Sequence, residues 1–155
     1  MLRRDILKYL AGRLEREVEP RHGFRREQVA AAALLVQCAR VDAEFTEGER
    51  AAICAAVREH FGLDAETSGA LVEVAERRTE EVWDDWLFLD AVKRGFSQEE
   101  RIGILERLWE VAHTNGRIHP FEEHLISRMA SELGIPEADR EKTRAQAWAR
   151  VHEPE

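Results

Sequence analysis

The sequence predicts an all-α fold: a compact bundle of about seven to eight helices that contains two pseudo-symmetric helix–loop–helix units. Three observations predict it. Apolar residues recur at three- and four-residue intervals along most of the chain, the period of an amphipathic helix. Ala, Glu, Leu and Arg, all strong helix formers, dominate the 155 residues, and only four prolines interrupt them. No run of period two escapes a better helical reading, so no strand is expected.

The first segment places Leu2, Ile6, Leu10, Leu14 and Val18 four apart, one apolar stripe among basic residues, until Glu19-Pro20 ends it. Residues 27–41 are apolar on nearly every side, as in a helix at the centre of a bundle. A polar loop leads to a helix from about Glu47 to Phe61, with Ile53, Val57 and Phe61 on one face and Gly62 as its C-terminal cap. Asp64 suits the N-cap of the next helix, which carries Leu71, Val72 and Ala75. Thr79 is read as opening another, in which Val82, Trp86 and Leu89 share a stripe and Gly95 ends it.

Ser97-Gln98-Glu99-Glu100 has capping-box spacing, and the helix it opens should bury Ile102, Leu105, Trp109 and Ala112. Pro120 suits the first position of the following helix, where its missing N–H is not needed. That helix uses Leu125, Ile126, Met129 and Leu133, and Gly134-Ile135-Pro136 stops it. A last helix runs to about Ala149, with Ala145 and Trp148 as the expected anchors.

The size fits one domain that buries its own core without staples. We divide the chain into an N-terminal basic amphipathic helix and connector, residues 1–24, and a helical domain, 25–150, whose repeat units span about 29–63 and 100–135. Net charge is −8, which argues against nucleic acid as a partner, because neutralising phosphates takes a surplus of Lys and Arg. The exception is the start of the chain, where Arg3, Arg4, Lys8, Arg13, Arg16, Arg21, Arg25 and Arg26 cluster. A basic amphipathic helix there is expected to pack on the domain, with weak association with a membrane surface as its other use. No stretch approaches a membrane span, and no signal-peptide core is seen, so the expected compartment is the cytoplasm. Cys38 and Cys54 fall on apolar helix positions without C-x-x-C spacing and read as small hydrophobes.

The informative feature is a duplication. Residues 38–54 read CARVDAEFTEGERAAIC, and residues 111–127, about 73 positions on, read VAHTNGRIHPFEEHLIS. Asp42 falls on Asn115, Ala43 on Gly116, Phe45 on Ile118, Glu49 on Glu122 and Ile53 on Ile126. Each copy is a helix, a short polar turn ending in an apolar plug, and a second helix with an acid in its first turn.

With Ala39-Arg40-Val41-Asp42-Ala43-Glu44-Phe45, Glu49 and Arg50 in one copy, and Val111 to Ile118 with Phe121 to Ile126 in the other, the sequence resembles the TerB-like domains, named for tellurite resistance and found in bacterial stress-response proteins. The Phe88 region and Leu108-Trp109 look similar too, and the resemblance spans about residues 26–145. It implies a helical bundle of about seven helices, a role in divalent-cation binding or protein–protein interaction, and no established enzymatic activity.

In that family both loops usually read Ala-Asp-Gly-Glu followed by a further Glu. The first loop keeps the acids: Asp42, Glu44 and Glu49 are the candidate ligands, with calcium or magnesium as the candidate cation, since hard cations take oxygen ligands. The spacing is not that of an EF-hand. Thr46-Glu47-Gly48-Glu49 is also a capping box, so Glu49 has a purely structural use. The second loop departs twice, with Asn115 for Asp and Arg117 for Glu; a guanidinium replacing a carboxylate disfavours a cation, so that loop reads as structural.

Other groups carry less. His113, His119 and His124 cluster near Glu123, but solvated loop histidines are the expected state rather than a zinc site. Trp83 and Trp86 are placed on one helix with Asp84, Asp85 and Asp90; one is expected in the core and the other on a partner-binding surface. No nucleophile elbow, activated Cys or phosphate loop is present, so no enzyme is expected. The sequence thus points to a module that binds a protein partner, with the acids either holding a cation or serving as architecture, in which case the working surface is the Trp83–Trp86 helix or the basic first helix; a metal-dependent hydrolase ranks behind both, and homo-oligomers are left open.

Overall fold

The computed structural model describes residues 23–41, 45–81, 84–114 and 118–152. Among them are seven helices and no strand: α1 (Arg26–Arg40), α2 (Glu47–Phe61), α3 (Ala65–Glu81), α4 (Trp86–Gly95), α5 (Gln98–His113), α6 (Pro120–Glu132) and α7 (Glu137–His152). α1 is the axis of the bundle and packs against α2, α3, α4, α5 and α6. It is buried from Val29 to Ala39 except at Gln37. The run Ala30–Ala33 keeps its surface narrow, so its neighbours approach closely. α4 comes so near that Gly95 lies against the Glu27 side chain.

The ends of the helices follow local chemistry. Thr46 Oγ1 accepts from the Glu49 amide at 3.0 Å and Glu49 Oε1 accepts from the Thr46 amide at 3.0 Å, the reciprocal box expected at the start of α2. Gly62 takes φ +65° at its end, where a side chain would be strained. Ser97 and Glu100 repeat the box at α5, and Pro120 is the first residue of α6.

Several expectations are corrected. Thr79 does not open a helix: α3 runs through it to Glu81, because the Thr79 hydroxyl donates to the Glu76 carbonyl at 2.8 Å and accepts from Arg40 at 2.7 Å. The next helix starts at Trp86, which is 43% exposed, so it shares no core stripe with buried Leu89; Val82 lies outside the described residues. At the other end, Ala145 and Trp148 are exposed, and Thr143 and Ala147 bury instead. Small residues at that seam let α7 lie close on α5, while the Trp148 ring turns outward and stacks on His152 at 4.3 Å. Ile102 and Leu125, expected in the core, are half-buried at its edge.

The core joins Leu34, Ile53, Leu71, Phe88, Leu105, Ile126 and Met129 from six helices. Cys38 lies within it, its Sγ 3.6 Å from Met129 Sδ, and burial, with Glu122 and Asp85, pushes its thiol well above the ordinary range. Both cysteines are free. No helix among the described residues is long and apolar enough to cross a membrane.

Candidate functional site

The first acidic loop joins α1 to α2, and of its three candidate ligands Glu49 is described; Asp42 and Glu44 lie outside the described residues. Glu49 is 3% exposed. Its Oε1 accepts from both the Thr46 amide (3.0 Å) and the Thr46 hydroxyl (3.1 Å). The capping role therefore exists. It also fixes a buried carboxylate at the point where the loop enters α2, beside the half-buried plug Phe45.

Two arginines flank this corner. Arg40, at the end of α1, lies 5.4 Å over the Phe45 ring and 3.7 Å from Glu80. Arg50, in the first turn of α2, bonds Glu76 at 2.9 Å, and Arg40 is 4.0 Å from the same carboxylate. Glu76 thus holds α3 to both helices that border the loop.

A cleft of about 730 Å³ opens beside it, lined by Gln37, Arg40 and Val41 of the α1 end, Thr79 and Glu80 of α3, Asp84 and Asp85 before α4, and Leu125 and Arg128 of α6. Val41, the last described residue before Asp42, stands on the lining of this cleft. Asp84 follows Trp83, which lies outside the described residues. Three carboxylates face two guanidiniums here. Asp85 is buried and pairs with Arg128, which also holds Glu132 at 2.9 Å. The Gln37 Oε1 atom is buried without a hydrogen-bond partner. Trp86 stands next along the surface, in a smaller hollow with Leu89, Asp90, Lys93 and Glu132. The tryptophan expected to share its helix with Asp84 and Asp85 in fact begins α4, after both acids.

The second loop is built differently. His119 caps α6, its Nδ1 accepting from the Phe121 amide at 3.2 Å. Glu122, the counterpart of Glu49, is likewise buried, whereas Asn115 and Arg117 lie outside the described residues. The expectation of solvated histidines fails at His113, which is 5% exposed beneath α7. Glu123 is taken by Arg144 at 2.9 Å, and no group of three His, Cys, Asp or Glu among the described residues is placed to hold a metal. Sequence reading missed the cleft. Gln37, the one polar side chain between Val29 and Ala39, was its available signal.

A comparison with protein families matches residues 28–145 to the tellurite resistance protein TerB model. The chain belongs to the TerB family. No curated protein and no solved structure matches it. The match covers both loops of this TerB domain, and with it α1 from Gln28 onward through about the first half of α7.

Proposed function

We propose that the chain is a non-enzymatic TerB module of the cytoplasm that acts by binding a protein partner in a stress response, with calcium or magnesium held at the first acidic loop by Asp42, Glu44 and Glu49. The observation that carries this reading is Glu49, a buried carboxylate fixed at the end of that loop. Carboxylates are rarely buried without a partner. A carboxylate has about four acceptor sites, so the two bonds from Thr46 do not exhaust it. The family match across the loop, and Asn115 and Arg117 in the other, support placing the cation at the first loop only. The adjoining cleft and the exposed Trp86 supply a surface where a partner's contact would couple to the loop.

The test is thermal unfolding of metal-stripped protein with and without millimolar calcium or magnesium, in wild type and Asp42→Asn. At ~100 times its dissociation constant a cation adds roughly 2.7 kcal/mol, several degrees for a domain of this size. A shift in wild type that Asp42→Asn removes is the expected result. No shift in wild type overturns cation binding and leaves Glu49 as a helix cap.

A further inference from the structure

α7 lies on α5, and Thr143 and Ala147 are its buried residues. Polar contacts do much of the rest. The Arg144 guanidinium lies 4.7 Å over the Trp109 ring and bonds Glu123 at 2.9 Å. Arg150 reaches Glu110 at 2.9 Å and Glu106 at 3.3 Å. At the end of this seam, in the last turn of α5, sits His113. Its ring centroid is 6.3 Å from that of Trp109 and 6.3 Å from that of His152. Its Nε2 is buried and has no hydrogen-bond partner.

The charged and titratable groups around this imidazole are Glu141, Arg144 and His152 from α7, Glu110 from α5 and Glu123 from α6. Glu110 is held by Arg107 and Arg150, and Glu123 by Arg144. A second proton on His113 would put charge on a ring whose buried Nε2 has no partner, beside the Arg144 guanidinium, with the Arg144 backbone opposing that cost. In water the same imidazolium is fully solvated.

We propose that α7 is an acid-released element: protonation of His113 undocks α7 from α5 and uncovers the face of α5 that carries Trp109. Burial, then Arg144 and His152, hold the His113 pKa below its ordinary 6.5, against a smaller opposing effect from the Arg144 backbone. The sign follows. Docking is fully present above about pH 6.5, and it weakens as the pH falls below that value, because the released state takes up the proton. At pH 5.5 the opening equilibrium rises by up to about tenfold, since a freed imidazole is about 90% protonated there.

None of these residues belongs to the first acidic loop, so the inference is independent of cation binding. Amide hydrogen exchange of the full chain at pH 7.5 and 5.5, corrected for the intrinsic rate, tests it. α7 should lose up to about tenfold protection, more than α1 loses. The difference should vanish in His113→Gln and His113→Phe and survive in His152→Gln. Histidine-ring NMR of the wild type, which needs no variant to fold, should show His113 titrating in step with the loss of α7 protection. Equal protection of α7 at both pH values overturns the inference. So does an α7 that stays closed while His113 titrates, or a pH effect that persists in both His113 variants or that His152→Gln abolishes.

Discussion

Glu27 occupies the space that a side chain on Gly95 would need: a β-carbon built on Gly95 would lie 2.4 Å from the Glu27 Cβ and 2.6 Å from its Cγ. The atoms in the way are the base of the side chain, next to the α1 backbone, so a rotamer change does not relieve the clash. Gly95→Ala should push α4 off α1 and destabilise the chain by about 1–3 kcal/mol, visible as a lower urea midpoint.

Thr46→Ala should cost about 1 kcal/mol, the usual loss for an N-cap, by removing the oxygen that accepts from the Glu49 amide. This loss should be present in metal-stripped protein. Asp42→Asn should leave metal-stripped stability nearly unchanged and alter only the response to added cation. Urea titrations with and without calcium separate the two variants.

Arg128→Ala should destabilise by roughly 1–2 kcal/mol, because it strips buried Asp85 of its ion pair. The figure is below that of a fully buried pair, since the Arg128 side chain is itself partly in water. Asp85→Asn in the same chain should restore part of the loss. The coupling in a double-mutant cycle should exceed about 0.5 kcal/mol.

His60 gives a prediction for pH. Burial, then Arg107, hold its pKa below the ordinary 6.5, with Glu100 opposing. The folded state favours the neutral ring, so this contribution to stability is present above about pH 6.5 and is lost as the pH falls below it. The urea midpoint should drop between pH 7.5 and 5.5, and His60→Gln should reduce the drop. Calcium and magnesium are left out of this measurement so that the carboxylates do not confound it.

The features legible in the sequence are those that a few neighbouring residues decide. The caps at Thr46, Asp64 and Ser97, the stops at Gly62 and Gly134 and the all-round burial of α1 are of this kind. Thr79 misled because its hydroxyl can cap a helix or bond back into one, and the choice is made by Arg40, 39 residues away. Trp86 and Trp148 misled because the size of a side chain does not tell which way it faces; α7 meets α5 through small residues, and the large one faces out. The burial of His113 depends on where the last helix lands, and the Asp85–Arg128 pair spans 43 positions. At the candidate site, Glu49 was readable as both cap and ligand from spacing alone. The cleft beside it, assembled from α1, α3, α6 and the turn before α4, had no local signature apart from Gln37.

The alanine run at the centre of α1 has a consequence for how this fold changes over time. Helices α2 to α6 each take their position from one slender rod, and α7 takes its own from α5, so altering a connecting turn leaves the positions of the helices intact. The two turns differ in their chemistry, one carrying Asp42 and Glu44 and the other Asn115 and Arg117, while Ile53 and Ile126 are sealed in the same interior. A lineage built on such a rod can switch its turns between acidic and neutral chemistry without remaking the body that carries them.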